Sequence, residues 1–178
     1  MPVTRLITPG DAEPLARLVT ENRGYLAPWS PIQSDAYFSV SGQRTAITSD
    51  LSSYERGVMY PLVILDGSGA VGGRINLNTI VRGAFQSASV GYWVSQSQAG
   101  RGLASAAVAE LVGTAFGPLG LHRLDAATLL RNTPSQRVLA RNRFRPFAVA
   151  EAYLKIAGEW QDHILFQLLN PAAEASAA

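Results

Sequence analysis

The sequence predicts a mixed α/β domain in which helices flank a largely antiparallel sheet. Three observations carry that expectation. Apolar residues recur at helical spacing near the start and middle of the chain, and the pattern turns strand-like from Met59 to Val94 and again after Arg123. The middle strand candidates are separated by short glycine-bearing connections, as hairpins require. Strands and helices interleaved this unevenly build a mixed sheet and not a uniform βαβ array.

The expected order is a strand, two helices, three strands, a long helix, a strand, a short helix and two closing strands. Thr8-Pro9-Gly10-Asp11 reads as a helix start: a threonine cap, proline at the first helical position, and a carboxylate three residues after the cap. Leu15, Leu18 and Val19 follow at helical spacing. Gly24, Pro28 and Pro31 argue against a regular element from Asn22 to Ser34, so Tyr25, Leu26 and Trp29 are expected to line a loop over the core or a groove. A second helix is expected between Ser34 and Arg56.

Met59 to Leu65, Ala70 to Val81 and Gln86 to Val94 are strand candidates. They are joined by the turn Asp66-Gly67-Ser68-Gly69 and by a tight connection at Arg82-Gly83. Leu103 to Phe116 is the strongest helix, with a wide apolar stripe and a stop at Gly117-Pro118. A strand over Arg123 to Leu130, a short helix over Thr133 to Arg141, and strands over Phe147 to Ile156 and Trp160 to Leu169 complete the order. Residues 1–170 are thus expected to form the domain, with 171–178 a disordered, alanine-rich tail.

Composition narrows the function. A chain of 178 residues can bury enough surface for a single core without staples. Apolar residues at 47% and charged residues at 16% exclude disorder as the default. The net charge of +2 does not argue for nucleic-acid reading, and Lys155 is the only lysine among 15 cationic residues. That arginine bias suits bidentate contacts to phosphate or carboxylate. The absence of cysteine excludes disulfides, thiolate metal sites and a cysteine nucleophile, and two histidines are too few for a histidine-built metal centre. The N-terminus does not read as a secretory signal, and Leu103 to Leu121 carries too many polar groups for a membrane span. A cytoplasmic domain without metal or membrane contact is expected.

The chemistry-bearing segment is Gln96-Ser97-Gln98-Ala99-Gly100-Arg101-Gly102-Leu103-Ala104. Two glycines let backbone amides approach a ligand, and a helix begins immediately after them, so free amides and the helix dipole together favour an anion. Arg101 adds a charge-assisted donor. A dinucleotide fingerprint would place a third glycine where Ser105 stands, and a Walker loop would need Gly-Lys-Ser/Thr. Neither fits.

Five ordered blocks carry a family resemblance. They are Gly91-Tyr92-Trp93-Val94 with Gly100-Arg101-Gly102-Leu103-Ala104; His122-Arg123, Asn132-x-x-Ser135 and Val138-Leu139-Ala140-Arg141; Tyr153-Leu154-x-Ile156-x-Gly158-x-Trp160-x-Asp162-His163; Glu21-Asn22-Arg23 with Pro28-Trp29-x-Pro31; and Asn76 with Val81-Arg82-Gly83-x-Phe85. Over nearly the whole chain the sequence resembles the GNAT acetyltransferases, and within them the RimJ/RimL-type N-terminal acetyltransferases of ribosomal proteins, on the alanine-terminus side.

The resemblance implies a twisted, mostly antiparallel sheet with two splayed strands, and acetyl-CoA as donor. Tyr92, Trp93 and Val94 would flank its pantetheine arm, and Gly100, Arg101, Gly102, Leu103 and Ala104 its diphosphate. Asn132 would reach the arm, Ser135 would protonate the departing thiolate, and Arg137 would meet the 3′-phosphate. Trp29, Asn76, Arg82, Tyr153 and Trp160 would face the acceptor, a protein N-terminus. The oligomer implied is a monomer or a homodimer.

Residue chemistry keeps plainer readings open: Asn132 and Ser135 also suit a helix start, and the aromatics suit core or groove walls. Arg143-Phe144 replaces the family's Gly-Phe, so the turn after the short helix is expected to differ. Ser89 and Leu154 stand where relatives carry a base, which leaves no general base named and only a water path to Glu151, Glu159 or Asp162. An α-amine titrates near 7.7 to 8.0, so roughly one in ten is neutral at pH 7, whereas a lysine amine would need about 3 to 4 kcal/mol more. A site without a carboxylate base therefore suits an N-terminal amine. A small-molecule amine as acceptor, or a CoA-binding module without turnover, are the rival readings.

Overall fold

The computed structural model describes residues 2–171, so the expected tail beyond Pro171 lies outside the described residues. Its strands are β1 (Thr4–Leu6), β2 (Tyr60–Leu65), β3 (Val71–Val81), β4 (Ser87–Val94), β5 (Arg123–Leu129), β6 (Arg145–Ile156) and β7 (Glu159–Leu169). Its helices are α1 (Ala12–Glu21), α2 (Arg23–Leu26), α3 (Val40–Glu55), α4 (Leu103–Phe116) and α5 (Thr133–Arg141). The strands form one sheet in the order β1-β2-β3-β4-β5-β7-β6, antiparallel throughout except at β4–β5. Among the described residues no helix is long and apolar enough to cross a membrane.

Alternation along the strands sends side chains to two faces. On one face Leu62, Ile64, Ile75, Leu77, Val90, Leu124 and Phe166 pack with Ala107, Val108 and Leu111 of α4 in the larger core. On the other face Val63 packs with Ile7, Leu15 and Ile47, where α1 meets β3 and α3 meets β2. The helices of this second face lie over the β1–β3 side of the sheet. That asymmetry leaves room over β4, β5 and β7.

Two expectations change. Asn22–Ser34 is not wholly irregular: α2 and a 3₁₀ turn at Ala27–Trp29 lie within it. Pro28 falls in the first turn of that 3₁₀ segment, where its missing N–H breaks no helical bond. The turn after α5 also keeps the form a glycine would give, because Arg143 itself adopts φ +66°. The Arg143 amide donates to the Ala140 carbonyl at 3.0 Å and the Phe144 amide to the Leu139 carbonyl at 3.1 Å. Phe144, 3% exposed, anchors the turn in the core.

The N-terminal cap is built around a buried carboxylate. Asp11 Oδ2 accepts from the Thr8 amide at 2.8 Å and the Thr8 hydroxyl at 3.0 Å. Arg5 donates to both carboxylate oxygens, at 2.8 and 2.7 Å. Burial alone would raise the Asp11 pKa, but the donors of Arg5 and Thr8 outweigh it and hold the carboxyl below its ordinary value. A carboxyl depressed in the folded state adds stability that is complete above the unfolded aspartate range and is lost as pH falls through the folded value.

Asp11→Ala is therefore expected to destabilise the fold by about 2 kcal/mol at pH 7. Denaturant melts at several pH values should show that gap narrowing below about pH 4 as the wild-type carboxyl protonates. Arg143→Gly should act in the other direction. Relieving a left-handed arginine outweighs the extra unfolded-state freedom of glycine by about 0.5 to 1 kcal/mol, or a few degrees in Tm by calorimetry.

Candidate active site

The site begins where strand pairing stops. β4 and β5 pair in parallel at Ser87↔Arg123, Ala88↔Leu124 and Ser89↔Asp125. Among the described residues no further rung joins them, although β4 stays paired to β3 as far as Val94 and β5 to β7 as far as Leu129. The backbones of 90–94 and 126–129 therefore diverge, presenting N–H and C=O groups that a neighbouring strand would otherwise engage.

Carrying the register forward places Gly91 across from Ala127 on one face of the gap, and Tyr92 across from Thr128 on the face of α4. On that second face the Tyr92 hydroxyl spans the opening to α5. It lies 2.8 Å from Ser135 Oγ and donates to the Ser135 carbonyl at 3.1 Å. Ser135 sits in the first turn of α5, where its amide donates to Oδ1 of the N-cap Asn132 at 3.2 Å. Burial pushes the Tyr92 phenol up to about 12, the Ser135 hydrogen bond offsetting part of the rise. The phenol is thus protonated at neutral pH. Thr128 Oγ1 nearby, and Ser105 Oγ in the first turn of α4, are buried without a protein partner.

At the open end of the gap β4 runs into a 3₁₀ turn at Gln96–Gln98 and then the glycine loop. The loop's entry is fixed by the Ser95 amide on the Gly72 carbonyl at 2.8 Å and the Gln96 amide on Asn22 Oδ1 at 2.7 Å. Gly100 and Gly102 have φ +74° and +83°, and a Cβ at either would meet nothing within 4 Å. Glycine is needed here for backbone conformation, with open space in front. Gly102 is the N-cap of α4 and no side chain caps the helix, so its first amides face that space. Arg101 is exposed beside them.

On the face opposite α4, a groove of about 420 Å³ runs along the closed end of the gap. Ser87, Ser89, Asp125 and Ala127 lie along it, with Phe85, Phe147, Tyr153 and Leu165 as apolar walls. Arg123 pairs with Asp125 at 2.7 Å and holds its guanidinium 5.1 Å from the centre of the Phe147 ring. Tyr153 is turned by a register shift in β6 between Ala150 and Leu154, where Ala152 takes φ +45° and its amide donates to Asp162 Oδ1 at 2.9 Å. His163 is buried 5.6 Å from the Tyr153 ring, with Nδ1 bonded to the Gln161 carbonyl at 2.8 Å. Arg131 donates to Gln161 Oε1 and the Pro28 carbonyl and lies 5.7 Å from the Trp29 ring. The 27–30 segment is thereby tied to the β5–α5 connection and to the β6–β7 hairpin.

Residues 3–145 match the acetyltransferase (GNAT) domain family. The chain belongs to the GNAT acetyltransferases. This GNAT chain is 37% identical over 162 residues to "Probable N-acetyltransferase YjcK" of Bacillus subtilis, covering 90% of each protein. It is 30% identical to the [ribosomal protein uS5]-alanine N-acetyltransferase of Escherichia coli, over 95% of this chain and 88% of that one. Mycobacterium smegmatis RimJ, solved in complex with CoA-disulfide, superposes with a TM-score of 0.90 at 31% identity, over 93% of this chain and 80% of that one. The protein is an N-acetyltransferase with a GNAT fold.

Several residues singled out in the GNAT sequence come together. Tyr92, Asn132 and Ser135 meet on the α4 side of the gap, and Gly100 to Ala104 form the loop at its mouth. Asn76 stands beside Gly91 on the groove side, Tyr153 forms a groove wall, and Trp29 lies under Arg131. Trp93 packs against the smaller core and Val94 and Leu103 against the larger one, which leaves their backbones toward the gap and loop. Arg137 is exposed on α5.

Of the five residues expected to face the acceptor, Tyr153 lines the groove, whereas Trp29, Asn76, Arg82 and Trp160 are not among its lining residues. Arg82 donates to the Leu119 carbonyl at 2.6 Å and ties the β3–β4 turn to the segment after α4. Trp160 is 64% exposed at the start of β7, across from Lys155. Sequence reasoning missed Asp125, Thr128, Phe147 and Leu165 as lining or orphaned groups. Strand alternation assigns their faces, but nothing local marks which face lies open.

Proposed function

We propose that this N-acetyltransferase transfers the acetyl group of acetyl-CoA to the α-amine of a protein N-terminus, with a ribosomal protein bearing a small first residue as substrate. The observation carrying it is the parting of β4 from β5 between an uncapped helix start on one side and a groove on the other. The name of the Escherichia coli relative and the CoA complex of Mycobacterium smegmatis RimJ support the choice of acceptor and donor.

The residues present fit such a donor. Gly100 and Gly102 leave open space before the first amides of α4, which suits a diphosphate. Arg101 adds charge there, and the exposed Arg137 suits the 3′-phosphate. The parted backbones at Tyr92–Val94 and 126–129 suit the amides of a pantetheine arm, and the orphaned Thr128 hydroxyl supplies a further polar group.

The acceptor enters from the groove between Gly91 and Ala127, whose small side chains leave the gap accessible. Asn76 and Tyr153 flank that approach, and Trp29 stands at the tied end. The neutral amine attacks the thioester carbonyl carbon, whose oxygen is polarised by backbone amides of the parted strand. The carbon–sulfur bond breaks, Ser135 on the opposite face protonates the sulfur, and the nitrogen's proton leaves through water. Placing attack and departure on opposite faces keeps the amine and the serine from competing for one position.

Incubation with acetyl-CoA and N-terminal peptides of ribosomal proteins, followed by mass spectrometry, should show one acetyl group on the α-amine. Transfer confined to small amines would refute the protein acceptor. Acetyl-CoA at about 100 times its dissociation constant should stabilise the fold by roughly 2.7 kcal/mol and raise Tm by several degrees, as NAD and ATP should not. Gly102→Val should abolish that rise, because a β-branched residue resists the left-handed conformation that exposes the amides.

A further inference from the structure

We infer that Tyr92 is a positioning residue for Ser135: its hydroxyl holds the serine hydroxyl in the orientation from which the departing sulfur takes its proton. The inference rests on the acetyl-transfer reading above and names a group that reading leaves idle.

The geometry separates the two parts of Tyr92. The ring lies against the larger core beside the aliphatic face of β4, a task a phenylalanine could perform. The hydroxyl does something else. It leaves the parted stretch of β4 and reaches across to α5, meeting Ser135 Oγ at 2.8 Å and the Ser135 carbonyl at 3.1 Å. Ser135 is held from its other side by Asn132, which accepts from its amide at 3.2 Å. With the backbone pinned at both ends, the hydroxyl rotor is the freedom left to Ser135, and Tyr92 is the group that biases it.

Proton counting gives the direction. Tyr92 has one proton to donate and finds two acceptors on Ser135, the carbonyl and Oγ. When the phenol proton is directed to Oγ, the serine's own proton cannot point back at Tyr92 and is turned toward the gap. Thr128, across from Tyr92 by register, has a buried hydroxyl without a partner, so this face of the gap is furnished with polar groups that a ligand would complete.

The chemistry needs such help. A lone serine hydroxyl is a poor acid, and negative charge gathering on Oγ as it gives up its proton is stabilised by a donor behind it. Burial keeps the phenol protonated, so Tyr92 is a donor throughout the cycle. The step balances without a further reactant. Nitrogen bonds to the carbonyl carbon, the carbon–sulfur electron pair stays on sulfur, and sulfur takes the Ser135 proton. Ser135 regains one from the water that collects the proton released by nitrogen. Tyr92 ends as it began.

The test compares wild type, Tyr92→Phe, Ser135→Ala and the double variant, with kcat and KM for acetyl-CoA measured under saturating acceptor and CoA affinity measured by calorimetry. Tyr92→Phe keeps the ring and should lower kcat about tenfold, the order of one hydrogen bond, with KM and CoA affinity within about twofold. Ser135→Ala should lower kcat at least as much, and the double variant should match Ser135→Ala alone, because Tyr92 acts only through the serine.

An unchanged kcat in Tyr92→Phe would overturn the inference. So would a full additional loss in the Ser135→Ala background, or a loss appearing wholly as weaker CoA binding. The acceptor assignment is judged separately, by the wild type alone: if only small amines are acetylated, that part of the functional reading fails and the same four-way comparison is made with the amine that reacts. A wild type inert toward every amine overturns both.

Discussion

The structure depends on a pairing that ends early. Three rungs join β4 to β5, and then each strand follows its outer neighbour. A sheet closes its backbone hydrogen bonds wherever it can, since an unpaired buried amide or carbonyl is costly. Holding two strands apart therefore requires strong constraints on both sides. β4 is kept by its long antiparallel ladder with β3, and β5 by an unbroken ladder with β7. The helix that follows each strand, α4 after β4 and α5 after β5, then starts at the mouth of the gap. One opening thus recruits two helix N-termini and two faces of the sheet.

The two faces have different characters for reasons of helix placement. α4 packs under β2, β3 and β4, so the gap on that side is enclosed and its polar groups, Tyr92, Thr128 and Ser135, lie among core residues. On the other side α1 and α3 lie over β1 to β3, and the surface over β4, β5 and β7 is a trough walled by aromatics. The enclosed side suits a long, precisely held donor, and the trough suits an acceptor that must come and go. The 27–30 segment is tied to Arg131, just past the end of β5, and through it to Gln161 on β7.

Much of this was legible in the residues. Period-two alternation located the strands, the stop at Gly117-Pro118 ended α4, and Thr8-Pro9-Gly10-Asp11 marked the capped start of the first helical segment, because each signal is local and acts within one turn or one hairpin. The glycine loop was legible for the same reason. Where local rules were read too strictly they misled. Pro28 did not prevent a helical turn, since it occupies a position where its missing amide is harmless. Arg143 did not reshape its turn, since core packing of Phe144 outweighs the strain of a left-handed arginine. Arg82 bonds the Leu119 carbonyl and Trp160 stands exposed at the start of β7, placements that spacing along the chain does not give.

The sequence by itself determined the element order and the glycine loop ahead of α4, because those follow from backbone stereochemistry and spacing within a few residues. Tertiary structure decided the rest: where β4 and β5 cease to pair, that Tyr92 reaches Ser135 across 43 residues of chain, and that Asp125 and Phe147 line a trough. Those facts depend on which distant segments compete for the same backbone groups and the same space. Such competition is resolved only when the whole sheet and its helices pack together.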